Sequence, residues 1–216
     1  MTAAGRAGIA GALLLLGLAG CADDADDGAP TEARTSDAVA APEAEAPAPE
    51  ADAEPDATAG PEIPVPEAPA GEGAAVGSLQ VPRWGADYDM PISEGVSDHV
   101  LDTLGMGRFP RAQLPGEEGN FAVSGHRTDG SRPLARIDEL ELGDELVVST
   151  DVGTYTYVVS DTEIVTPDEI RVVEPNPYDP DAEPVGRLMT LVTCHPWDSS
   201  EFRYIVHAEL EDFAAA

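Results

Sequence analysis

The sequence predicts an all-β fold closed into a barrel, set behind a leader and an extended stalk. Short apolar and β-branched runs recur between Gly, Pro and Asp punctuation across residues 78–216, and no long amphipathic helix is evident there. About 139 residues is also the size of one domain with a single core. Closure into a barrel removes the exposed strand edges that such a sheet would otherwise present.

The first twenty residues carry one positive charge, Arg6, and an apolar stretch from Ile9 to Leu18. Spanning a bilayer takes about 20 residues, so this stretch reads as an export signal. Leu18-Ala19-Gly20-Cys21 resembles the bacterial lipobox, in which the cysteine is lipidated and becomes the new amino terminus. Residues 1–21 are therefore assigned as a signal peptide with a lipobox, and Cys21 as the lipidation site. Two acyl chains hold firmly, at roughly 0.8 kcal/mol per buried methylene. A plain secretory signal or a short uncleaved anchor is the alternative. Each places the rest of the chain outside the cytoplasm, and the lipid anchor places it on the membrane of the cell envelope.

Residues 22–77 are dominated by Ala, Pro, Glu, Asp and Gly, with fifteen acidic residues against Arg34 and no aromatic residue. Such a segment cannot build a core and reads as a disordered, extended linker. At a polyproline rise of ~3.1 Å per residue it reaches at most about 170 Å.

The folded domain is placed at residues 78–216. Its predicted strands are Gly119 to Ser124, Glu145 to Thr150, Thr154 to Ile164, Leu188 to Cys194 and Arg203 to Leu210. Gly143-Asp144 and Asp151-Val152-Gly153 are turn signals, the second joining a hairpin. Short helices are expected near Ser97 to Leu104 and around Pro133 to Glu139. The chain's formal charge is -31, and residues 78–216 alone carry 27 acidic against 9 basic residues, which argues against a nucleic-acid partner.

Chemistry concentrates at Cys194. Only two cysteines are present, and lipidation of Cys21 leaves Cys194 without a bridge partner. If the strands ending at Cys194 and starting at Arg203 are antiparallel neighbours, thiol and guanidinium lie close together. Alternation puts Leu188, Thr190, Val192 and Cys194 on one face and Met189, Leu191 and Thr193 on the other, so His195 points away from Cys194. His126, in Ser124-Gly125-His126-Arg127, is then the expected partner. Nucleophile, acid/base and oxyanion stabiliser point to acyl transfer. Taken singly, each has a plainer reading: a buried core cysteine, a satisfied turn histidine, a surface arginine. His99, His195 and His207 read as structural or solvent-facing groups, His195 as the one nearest to supporting the site.

At these residues the chain resembles the sortases, cysteine transpeptidases that attach proteins to the cell wall of Gram-positive bacteria. The resemblance rests on Thr190-Leu191-Val192-Thr193-Cys194, Gly125-His126 and Arg203 at the start of the next strand, and extends from about Val81 to Leu210. Gly119-Asn120-Phe121, Gly125-His126-Arg127-Thr128, Cys194-His195-Pro196 and Gly85-Ala86-Asp87-Tyr88 look most like the actinobacterial class E enzymes. The resemblance implies a sortase-type barrel of about eight strands, with Cys194, His126 and Arg203 catalytic and Tyr88 and Thr193 on the substrate side. It implies cleavage of an LAxTG- or LPxTG-like sorting signal between Thr and Gly, through a thioester on Cys194, and transfer to a cell-wall precursor amine. It also implies that the loop Glu174 to Gly186 helps form the peptide groove. A lipobox and acidic stalk depart from the transmembrane helix usual in the family, and Asp129-Gly130-Ser131 is less apolar than class E suggests.

No cofactor is expected, and no metal-ligand cluster, phosphate loop or serine triad is visible. The acidic loop 174–186 invites a calcium reading, but its spacing fits no calcium loop. Two alternatives stay open: a hydrolytic cysteine peptidase of the same fold, and a non-catalytic peptide-binding lipoprotein.

Overall fold

The computed structural model describes residues 62–216. The leader, Cys21 and most of the predicted linker lie outside the described residues. Among the described residues no helix is long and apolar enough to cross a membrane.

Eight strands form a closed barrel: β1 Ala75–Gln80, β2 Asp89–Glu94, β3 Met106–Arg108, β4 Gly119–Gly125, β5 Glu145–Ser149, β6 Gly153–Val165, β7 Arg187–His195 and β8 Phe202–Ala215. Their order around the barrel is β1-β2-β3-β4-β7-β8-β6-β5, with β5 returning to β1. The pairs β2–β3 and β4–β7 are parallel, and the other neighbours are antiparallel. All five predicted strands are present, each within a few residues of its expected ends, and the 151–153 turn joins β5 to β6 with Thr150 N–H donating to Gly153 O at 2.9 Å.

Three strands escape the sequence pattern. β2 contains Pro91, which reads as a breaker. β1 and β3 carry Gly77 and Gly107, which weaken any strand signal but are required by packing. A Cβ at Gly77 would sit 2.4 Å from Ser149 O, and one at Gly107 would sit 2.1 Å from Gly95 O. β1 also starts at Ala75, inside the segment assigned to the linker. Further upstream, Tyr155 donates its hydroxyl to Pro64 O at 2.7 Å, and Ile63 packs on the core. The ordered domain thus begins before residue 78, because a proline-rich stretch can dock through one carbonyl and one aliphatic side chain. The two expected helices shrink to single turns, a π-helical turn at Val100–Leu104 and a 3₁₀ turn at Ile137–Glu139.

The barrel interior is filled by Leu79, Ile92, Met106, Phe121, Val123, Leu146, Tyr157, Met189, Leu191 and Val206. Each fully buried aliphatic side chain contributes roughly 1.5–3 kcal/mol. A second cluster, Val165, Val172, Val192 and Ile205, lies on the other face of the sheet, with Phe109 and Val173 against it. β7 is therefore apolar on both faces, as alternation requires of a strand covered inside and out.

That outer cover, the segment Val165–Val173, is latched by buried polar groups. Asn120 spends both amide hydrogens on the carbonyls of Val172 and Glu174, each at 3.0 Å. Thr190 donates to Asn120 Oδ1 at 2.7 Å and meets His207 Nδ1 at 2.8 Å. His207, fully buried, places Nε2 3.1 Å from Glu163, which Arg171 clamps with two nitrogens. Burial opposes the ionised state of Glu163, yet the Arg171 and His207 hydrogen bonds hold its carboxyl below the usual range.

At one end, the inner face is plugged by Arg127, which is 3% exposed. Its Nη1 donates to His195 Nδ1 at 3.1 Å, its Nη2 pairs with Asp138 at 2.8 Å, and its guanidinium lies 5.6 and 5.8 Å from the ring centres of Trp197 and Tyr204. The plug ties the end of β4 to the loop between β7 and β8.

Two substitutions test this frame. Asn120→Ala leaves two carbonyls of the outer cover without donors, and should lower unfolding free energy in urea by about 1–3 kcal/mol. Arg127→Met keeps the aliphatic stem and removes the cation, with a similar expected loss of about 1–3 kcal/mol and a shift in tryptophan emission as Trp197 is released.

Candidate active site

Period-2 alternation on three neighbouring strands builds the site. Antiparallel register sets Cys194 directly opposite Arg203, so both side chains leave the sheet on the same face. Parallel register sets Ser124 beside Val192, and two residues further along each chain come His126 and Cys194. β4, β7 and β8 are adjacent, so His126, Cys194 and Arg203 form one row across the end of the outer face. The residue after each of them points the other way: Arg127, His195 and Tyr204 meet in the plug. His195 thus faces away from the thiol, as the strand alternation expects.

Cys194 is free and half-buried. Arg203 holds Nη1 at 2.9 Å from Ser200 O and 3.0 Å from Phe202 O. Both partners are neutral backbone carbonyls, which leaves the positive charge of the fork available to a developing oxyanion. His126 follows β4 and is 25% exposed, with Nε2 2.8 Å from Asp102 Oδ1.

A cavity of about 300 Å³ runs along this face, lined by Leu101, Phe109, Ser124, Val165, Ile170, Val172, Val192 and Arg203 among others. Val192 and Ser124 form its sheet side, and the latched segment Val165–Val173 forms its outer wall. The loop Glu174 to Gly186 contributes no residue to this lining. That loop instead folds on itself, with Asn176 Oδ1 accepting from the amides of Tyr178 and Asp179, and with the Tyr178 ring 5.3 Å from that of His207.

Thr193 and Tyr88 occupy other places than the cavity wall. Thr193, 2% exposed, donates to Gly125 O at 2.7 Å, fixing β7 to the residue before His126. Tyr88 packs edge-on to Trp84 at 4.7 Å and donates its hydroxyl to Pro133 O at 2.7 Å; burial pushes this phenol above its usual range. Leu134 N–H donates to His126 O at 3.1 Å, so the loop 126–134 is pinned at both ends. Asp102 was not singled out by sequence reasoning, because it is one of 42 acidic residues and lies 24 positions from His126. Among the described residues, no group of three or more His, Cys, Asp or Glu side chains converges as metal ligands do.

Comparison with known proteins agrees with this architecture. A family model described as the sortase domain matches residues 79–211. Sortase E1 of Streptomyces coelicolor is 33% identical over 147 residues, which are 65% of this chain and 41% of that protein. Sortase D of Bacillus subtilis is 30% identical over 140 residues, 63% of this chain and 64% of that one. The chain thus spans between about two fifths and two thirds of these relatives' lengths. Among solved structures, the SrtA sortase from Actinomyces oris superposes with a TM-score of 0.68 at 38% identity, covering 72% of this chain and 89% of that one. Sortase E1 of Streptomyces coelicolor, determined with a tripeptide in its active site, gives a TM-score of 0.60 at 30% identity over 67% of this chain and 91% of that one. The sortase-domain model matches well over half of the chain and solved sortases share its barrel, so the chain belongs to the sortase family.

Proposed function

We propose that the protein is a cysteine transpeptidase that cleaves an LAxTG- or LPxTG-like sorting signal between Thr and Gly and transfers the carrier protein to a cell-wall amine. The observation that carries the reading is the row His126, Cys194, Arg203 across three adjacent strands, at the end of an apolar cavity. An extended peptide in that cavity meets Val192 on the sheet side and Val165 and Ile170 on the outer wall. Its scissile carbonyl is then presented at the strand end that carries the thiol.

The Cys194 thiolate attacks the Thr carbonyl carbon, forming a C–S bond and an oxyanion that Arg203 hydrogen-bonds. Collapse breaks the Thr–Gly C–N bond, and protonated His126 gives its proton to the departing glycine amine. The result is a Cys194 thioester and neutral His126. An incoming amine attacks that thioester and passes a proton to His126. The C–S bond breaks to regenerate the thiolate, and no oxidant or cofactor is consumed. Transfer prevails over hydrolysis where the amine binds well enough to outcompete water.

We place the enzyme outside the cytoplasm, held on the membrane through lipid on Cys21, with the linker raising the barrel toward the wall. The acidic domain has little affinity for polyanions, whereas a 22–61 segment rich in Pro and like charge suits a spacer.

Incubating the protein with LAxTG and LPxTG peptides, with and without an amine acceptor, should give an amide adduct by mass spectrometry only when amine is present. Cys194→Ala should abolish both adduct and cleavage. Arg203→Ala should lower kcat about 10²- to 10³-fold. Cleavage at full rate by Cys194→Ala would end the mechanism, and hydrolysis without any adduct would favour the peptidase alternative. In cells, Cys21→Ser should move the protein from the membrane fraction to the soluble extracytoplasmic fraction; retention on the membrane would remove the lipid anchor.

A further inference from the structure

We infer that Asp102 is a positioning residue for His126, fixing which imidazole nitrogen exchanges the proton with Cys194 and the leaving amine. The inference rests on the transpeptidase reading and adds a fourth group to it. Its starting point is the 2.8 Å contact between His126 Nε2 and Asp102 Oδ1. A carboxylate only accepts, so Nε2 carries the hydrogen and donates it. Nδ1 is then the nitrogen free to take and return a proton. Without Asp102 a neutral imidazole distributes its hydrogen between both nitrogens, and the ring turns about its side-chain bonds.

The backbone around His126 is held at three points. Thr193 holds the carbonyl of Gly125, Leu134 N–H holds that of His126, and Tyr88 holds the far end of the loop at Pro133. What remains is the ring, and Asp102 is the group that meets it. The carboxylate itself sits on a supported element. Glu72 takes the hydroxyl of Ser97 at the head of the turn, and Leu101 N–H donates to Ser97 O at 3.0 Å. Gly130, at φ +58°, lets the 126–134 loop abut the turn: a Cβ there would lie 3.1 Å from Asp102 O and 3.3 Å from Leu101 O. Leu101 lines the cavity while its neighbour Asp102 reaches His126, so one turn both walls the groove and aims the acid/base.

The test compares Asp102→Ala and Asp102→Asn with wild type. Asn keeps an oxygen that accepts from Nε2–H; Ala keeps nothing. With an LAxTG peptide and an amine, Asp102→Ala should lose about 10- to 100-fold in kcat with peptide KM unchanged, the cost of a misaimed reacting group. Asp102→Asn should recover most of that loss. In parallel, ¹⁵N NMR of the His126 ring needs no turnover. Wild type and Asp102→Asn should show a single Nε2–H tautomer when neutral, and Asp102→Ala a mixture. An unchanged kcat in Asp102→Ala, a raised kcat in Asp102→Ala, or a wild-type ring that already mixes tautomers would each overturn the inference. A wild type that holds one tautomer yet transfers no peptide would instead overturn the transpeptidase reading, so the two failures are distinguishable.

Discussion

The site depends on the pairing register of β4, β7 and β8. Because side chains alternate with a period of two, sliding β7 by one residue would send Cys194 into the plug and His195 onto the reactive face. The register is protected by burial on both sides of the sheet. Met189 and Leu191 fill the barrel, and Val192 with Ile205 fills the outer cluster, so a one-residue slip would exchange two well-packed sets at once. Catalytic geometry is thus inherited from core packing rather than imposed by contacts within the site.

The same alternation lets consecutive residues serve opposite purposes. His126, Cys194 and Arg203 belong to the outer face, where Arg203 lines the cavity, while Arg127, His195 and Tyr204 close the barrel end behind them. The plug is built from groups that keep their backbones fixed: a buried guanidinium pairs with Asp138, contacts His195 and faces two aromatic rings. The reactive row is thereby mounted on a layer anchored by the buried Arg127. The outer wall of the cavity follows a second logic. Val165–Val173 has little core of its own, and it is fixed from beneath by the chain of Asn120, Thr190, His207, Glu163 and Arg171. Burial pushes His207 down from its ordinary value while Glu163 pulls it up, so this histidine belongs to the scaffold.

The strands that carry the chemistry were legible because each is a β-branched, apolar run bounded by turn residues, and β4 through β8 all fit that description. β1, β2 and β3 were not, since Gly77, Pro91 and Gly107 satisfy close approaches and edges that exist only once neighbouring strands are in place. The cavity wall was illegible for a related reason. Proline and acid made residues 174–186 conspicuous, whereas the unremarkable segment 165–173 is the one that Asn120 fastens over Val192.

What the amino-acid order determined by itself was the identity of the row: a thiol ending one strand, an arginine opening the next, and a histidine after a third, all in local patterns. Tertiary structure alone decided what surrounds them. Thr193 and Tyr88 were assigned to the substrate side, and folding put their hydroxyls on Gly125 O and Pro133 O as struts of the His126 loop. Asp102 was one carboxylate among many until the turn at Val100–Leu104 brought it to the imidazole. Local periodicity fixes the face on which a side chain emerges, but the partner it meets there comes from loop closure between distant segments, which no window of sequence contains.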